Sequence, residues 1–256
     1  MTLRRILEYL DRIEEAVVDE VRPVRRGVAL LTPSLPLVWQ LNALRVEDTA
    51  AGPADLVEEA DRVLGDLGHR KLVVHDAELG RRLIRPLTTT GWNVFRLLVM
   101  VRDRPAERRV AERSGAEIDR RAGAAGLAAF RREQPFGWQE EAVNQLAAMD
   151  ERFDRAAAAR DFGSPVKNPA CVCRLYSAHG IGQVDEVGTV EARRGEGHAS
   201  SAVMAAVDAA AAEGCDPIFL LTDAADWPQH WYRTLGFTEI GSVYEFLKLP
   251  TGSTRP

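Results

Sequence analysis

Two features of the sequence predict an α/β protein assembled from two related halves. Segments with apolar residues at helical spacing alternate with short apolar runs bounded by glycine and proline, the pattern of helices laid against a sheet. A faint repeat also recurs at an offset of about 146 residues, with KLVVHD after Gly68 matching PIFLLTD after Gly214, and TGWNVFRLLVM matching LGFTEIGSVYEFL. That period is too long for a solenoid unit and fits a duplicated domain.

The elements follow in order. Leu3, Ile6, Leu7, Leu10, Ile13, Val17 and Val21 recur at helical spacing and predict an amphipathic helix over roughly the first twenty residues, ended by Pro23. GVALLTP and LVWQLNALRV predict strands around the turn PSLP. PADLVEEADRVLGDLG predicts a helix with Pro53 in its first turn and Gly68 at its end. KLVVH is a buried strand, AELGRRLIRPLTTTG a helix and NVFRLLVMVR a strand. Residues 102–113 are rich in arginine and glutamate, a linker with one short strand near Val110, which divides the chain into units 1–104 and 105–256. Helices are predicted over 116–132 and 139–160, separated by the breaker QPFGW. ACVCRLYS and GQVDEVGTV make an antiparallel hairpin through AHG. The helix SSAVMAAVDAAAAEG, the strand PIFLLTD and a helix opened by Asp226 and Pro228 complete the second unit before its final strand.

Composition narrows the function. At 256 residues with 46% hydrophobic, the chain has material for one large core or two modest ones. A net charge of −5 argues against nucleic acid or a membrane surface as partner. The charged amino terminus lacks the apolar core of a signal peptide, and no apolar run reaches spanning length. Cys171, Cys173 and Cys215 are odd in number and lack metal-site spacing, which fits a reduced, cytoplasmic protein without a metal. The arginine pairs at 81–82, 108–109 and 131–132 read as solvated helix faces or linker charge.

The informative stretch is VDEVGTVEARRGEGHASSAV, where a strand passes through a glycine corner into a helix. Glycines there allow close approach of another group, and a helix start presents unpaired N–H groups to an anion. The first half has VEDTAAGPADL in its place, with neither the arginine nor the glycine spacing.

Arg194, Gly197 and Ala199 form an Arg-x-x-Gly-x-Ala corner between strand and helix that resembles the acyl-CoA signature of the GNAT superfamily of N-acetyltransferases. WYRTLGF resembles the same family's late Tyr-x-x-x-Gly-Phe element. The resemblance covers roughly residues 108–248 and, through the repeat, extends weakly to the first half, implying two tandem GNAT-like domains with a degenerate N-terminal copy. Each would be a mixed central sheet flanked by helices. It further implies acetyl-CoA as cosubstrate, its pyrophosphate on the backbone of Gly195, Glu196, Gly197, His198, Ala199 and Ser200 with charge from Arg194. The pantetheine arm would run along Val187, Gly188 and Thr189, where the family parts two strands. Two positions depart from the family: its asparagine seven residues before the tyrosine is Ala225, and the alanine after it is Pro228.

Tyr232 stands where the family places the phenol that protonates the departing thiolate, against the alternative of ring packing. Asp185 and Glu186 lie on the strand before the corner, and strand alternation sends them to opposite faces, so that one alone, Glu186 before Asp185, can serve as base. Solvated edge charge is the alternative for both. His198 either touches phosphate or is exposed, and Trp138, Trp227 and Trp231 either line an acceptor pocket or pack. No nucleophile falls at the site, so the expected reaction is direct transfer of acetyl to an amine, a small molecule rather than a protein, within a ternary complex. A non-catalytic acyl-CoA sensor or scaffold is the alternative, and monomer and homodimer both stay open.

Overall fold

The computed structural model describes residues 1–104 and 114–249. The strand expected near Val110 and the pair Arg108 and Arg109 lie outside the described residues. In chain order the first half runs α1 (Thr2–Val17), β1 (Glu20–Val24), β2 (Gly27–Leu31), β3 (Ala43–Val46), α2 (Pro53–Leu64), β4 (Arg70–Val74), α3 (Ala77–Thr88) and β5 (Asn93–Arg102). The second runs β6 (Ala116–Ile118), α4 (Arg120–Arg132), α5 (Glu140–Ala156), β7 (Ala158–Ser164), β8 (Cys171–Ala178), β9 (Ile181–Thr189), α6 (His198–Ala212), β10 (Ile218–Asp223), α7 (Pro228–Thr234) and β11 (Phe237–Lys248).

Four boundaries differ from the sequence expectation, three of them because a strand edge recruits residues next to a helix. The first helix stops at Val17, and Glu20–Val24 becomes an edge strand where Pro23 is tolerated. Residues 116–118 pair with β7, and the helix starts one turn later at Asp119, whose carboxylate accepts from Ala122 N–H at 2.9 Å. The helix expected to reach Arg160 ends at Ala156, and 158–164 cover the free edge of β8. LVWQLNALRV holds only the short strand β3, preceded by a 3-10 turn over Trp39–Leu41.

Among the described residues eleven strands join one sheet in the order β1-β2-β3-β4-β11-β5-β10-β9-β8-β7-β6. The halves are interlocked at its centre. β5, from the first half, pairs with β10 of the second, while the C-terminal β11 pairs with β4 of the first, and β5 and β11 run antiparallel between them. Instead of two sheets packed together, there is one sheet with reciprocal exchange, and the parallel pair β3–β4 mirrors the parallel pair β9–β10.

Helix α1 spans the seam. Ile6, Tyr9, Leu10 and Ile13 share one core with Val73 and Val243 on one side and with Tyr176, Ile181 and Phe219 on the other, and α5 adds Met149 and Phe153. The Tyr9 ring meets Phe219 edge-on at 5.6 Å, and its hydroxyl donates to the carbonyl of Tyr176 at 3.3 Å. On the opposite face, α2 and α3 cover the first half, and α6 and α7 the second.

This interlock carries a prediction. Chains 1–104 and 105–256 made separately should each lack a cooperative thermal transition by circular dichroism, because each exposes a long strand edge that the other half covers. A sharp melt for either alone would contradict it.

Candidate active site

The parallel strands β9 and β10 pair only at Ile218↔Gly182 and Phe219↔Gln183. Beyond that point β10 stays with β5 as far as Asp223, and β9 stays with β8 as far as Thr189, so the two part and leave facing backbone edges free in a V-shaped slot. A bulge bends β9 there: the register against β8 shifts between Arg174↔Asp185 and Val172↔Gly188, and Glu186 takes the left-handed φ of 51°. A non-glycine residue held in that region is uncommon. In the first half, by contrast, β3 and β4 remain paired from Leu44↔Leu72 to Val46↔Val74.

The glycine corner sits above the slot. Gly195 and Gly197 both have φ of 82°, where a side chain would be strained, and a Cβ on either would meet nothing within 4 Å. Gly197 caps α6, and the backbone N–H groups of residues 195–200 have no acceptor among the described residues. The corner thus offers a row of free donors at the positive end of a fifteen-residue helix. Arg194 is exposed beside it and donates to the Thr189 carbonyl at 3.3 Å.

His198 is not exposed. Its side chain is mostly buried: Nδ1 lies 3.0 Å from Ser164 Oγ, and Nε2 lies 3.0 Å from Arg193, which also pairs with Glu196 at 2.8 Å. The ring ties the corner to β7, and the Glu196 carboxylate is turned to an arginine. The equivalent corner of the first half is filled by its own carboxylates. Asp55 accepts from Gly52 N–H at 3.2 Å and pairs with Arg26, Asp48 accepts from Ala50 N–H at 3.0 Å, and Pro53 has no N–H to offer.

The bulge overturns the alternation expected of Asp185 and Glu186. Both carboxylates lie on the face covered by α4 and α5: Asp185 accepts from Gln183 two residues back at 2.9 Å, and Glu186 pairs with Arg131 of α4 at 2.9 Å. Their environments differ sharply. Burial, then the charge of Glu186, pushes Asp185 up to about 7, against a Glu186 N–H bond at 2.8 Å and the more distant Arg131. Glu186 instead faces a buried guanidinium that forms two further bonds to Asp150, at 2.8 and 2.9 Å. Burial and the charge of Glu186 thus favour the protonated form of the Asp185 carboxyl, while Glu186 is engaged in an ion pair with Arg131.

Tyr232 lies on α7 within the same core as Cys171, Cys173 and Val184, its ring edge-on to Phe237 at 5.9 Å. Burial, followed by the nearby Cys173 and Asp185, raises its ionisation well above the ordinary phenol range, so the proton is held. The hydroxyl has no hydrogen-bond partner among the described residues. Val187 packs partly into this core, and Gly188 faces the other way, where a Cβ would come 2.5 Å from the Phe130 ring of α4. Gly188 is therefore required by helix packing, in addition to any role in the slot.

Sequence reasoning missed the buried network behind the carboxylates. Arg131, taken as solvated, is 4% exposed, and fully buried Arg174 bonds Asp161 at 2.8 Å and lies 3.4 Å from Asp150. Leaving either arginine unpaired would cost about 3–5 kcal/mol. A signal existed: Gly123, Leu127 and Arg131 fall at four-residue spacing on the buried stripe of α4. Of the three tryptophans, Trp138 and Trp227 are 80% and 67% exposed, and half-buried Trp231 donates to Ser200 Oγ at 3.0 Å. Among the described residues no cluster suits a metal ion, and no helix is long and apolar enough to cross a membrane.

This architecture is the GNAT N-acetyltransferase fold. A GCN5-related N-acetyltransferase from Kribbella flavida is similar over 98% of this chain and 96% of its own, with TM-score 0.62 and 18% identity. The tandem form is also represented: a tandem GNAT protein from the clavulanic acid biosynthesis pathway is similar over 90% of this chain and 80% of its own, with TM-score 0.53 and 10% identity. A functionally unknown conserved protein from Staphylococcus epidermidis reaches TM-score 0.68 at 15% identity, over 91% of this chain and 94% of its own. No family model matches the chain, and no curated protein matches it in sequence.

Proposed function

We propose that the chain transfers an acetyl group from acetyl-CoA to a small amine, with all chemistry in the second half. The observation that carries this reading is the parting of β9 from β10 beneath a corner whose backbone donors are unpaired. A linear thioester arm fits the slot while its pyrophosphate meets the corner, with residues 195–200 supplying backbone donors and Arg194 charge. The free edge around residues 187–189 offers main-chain donors to the arm and to the thioester carbonyl. Asp185 takes the proton from the acceptor ammonium, and the free amine attacks the acyl carbon. Collapse of the adduct breaks the carbon–sulfur bond and Tyr232 protonates the thiolate, while the second proton leaves the attacking nitrogen and returns through solvent to restore the phenol. Glu186, held by Arg131, orients the site.

The first half is the degenerate copy: its strands do not part, and its corner is filled by Asp48 and Asp55. Its contribution is α1, which underpins both halves.

Free-thiol release followed across a panel of amines tests the reaction, and binding of acetyl-CoA with no turnover on any amine would assign a sensor or scaffold instead. Tyr232→Phe keeps the ring and should leave stability and acetyl-CoA affinity nearly unchanged. Turnover should fall about 100-fold, the low end for positioned acid catalysis because a thiolate is a fair leaving group. Wild-type turnover with chemistry rate-limiting would remove Tyr232 from the mechanism.

A further inference from the structure

Exposed tryptophan is unusual on a protein surface, and Trp227 is 67% exposed at the end of the β10–α7 connection. Its ring centroid lies 6.2 Å from that of Trp231. Trp231 in turn donates its indole N–H to Ser200 Oγ at 3.0 Å, in the first turn of α6. The hydrogen bond fixes the Trp231 indole against the corner, and the ring contact places Trp227 one ring further out. An aromatic step therefore leads from the row of free amides to the surface.

We propose that Trp227, backed by Trp231, is a stacking shelf for the adenine of the coenzyme. The inference rests on the assignment of the corner to a coenzyme A pyrophosphate. A nucleotide whose diphosphate occupies the corner carries its purine a few bond lengths away, and a flat, electron-rich base is a natural occupant for an indole face left in water. Pro228 begins the helix directly after Trp227, and Ala225 before it carries no polar side chain, so the ring is the main side-chain surface this connection offers there. Trp227 would then act on binding of the nucleotide end alone and leave the reacting thioester untouched.

The test uses the full chain, with calorimetry against acetyl-CoA and adenosine 3′,5′-bisphosphate and steady-state kinetics with acetyl-CoA and acetylpantetheine. Trp227→Leu should weaken acetyl-CoA and the bisphosphate about 5- to 10-fold, the lower end for a base stacked on an exposed ring. Acetylpantetheine KM and the kcat with either donor should not change. Trp227→Phe should recover most of the affinity, and both variants should melt with wild type because the side chain is exposed. Unchanged affinity in Trp227→Leu would overturn the shelf, as would equal weakening towards acetylpantetheine, which would place the ring on the arm. A wild-type chain that binds neither acetyl-CoA nor the bisphosphate would instead refute the coenzyme assignment itself, and the shelf with it.

Discussion

Asp185→Asn is expected to lower kcat by about 10²- to 10⁴-fold, the range of a positioned general base, with acetyl-CoA affinity preserved. Asparagine keeps an oxygen for the Glu186 N–H and cannot take a proton. The pH dependence supplies an independent check, because the Asp185 carboxyl is pushed up to about 7 by burial and by Glu186. The base works only when ionised, so kcat/KM should fall as pH drops below about 7, tenfold for each unit. That limb should vanish from the residual activity of Asp185→Asn. Stability should move the other way: a carboxyl whose folded value is raised disfavours the folded state as pH rises through it. The variant should therefore melt no lower than wild type at alkaline pH. A Glu186→Gln variant that lost the acid limb while Asp185→Asn kept it would return the role of base to Glu186.

Gly197→Glu is expected to abolish acetyl-CoA binding. The residue has φ of 82° with open space before it, so a glutamate would place a carboxylate in the proposed pyrophosphate site. The left-handed backbone adds a folding cost of about 1–2 kcal/mol, small enough that the variant can be purified and tested folded. Calorimetry on the wild type should give one equivalent bound per chain, since the first-half corner is occupied by Asp55 and Asp48. Two equivalents, or unchanged affinity in Gly197→Glu, would refute the assignment of the corner.

Local chemistry made part of the site legible. A left-handed glycine at a helix start is a requirement of a few consecutive bonds, so RRGEGHA announced its geometry without reference to the rest of the chain. The hairpin through His179 and Gly180, both at positive φ, was equally local. The orientation of Asp185 and Glu186 was not, because one inserted residue in β9 reverses which face a side chain meets, and the bulge is defined by pairing with β8. Nor was the burial of Arg131, which depends on Asp150 arriving from another helix.

By itself the sequence determined the alternation of helices and strands and the glycine corner that opens α6. Each is carried by residues near one another in the chain, where spacing and backbone preference suffice. The tertiary structure alone decided that the two halves share one sheet by exchanging β5 and β11, that residues 158–164 form a strand, and that Asp185 and Glu186 lie on one face of the sheet. Those outcomes depend on hydrogen bonds and desolvation between segments far apart in the chain, and no local propensity encodes which distant edge a strand will find or which charges will be buried together.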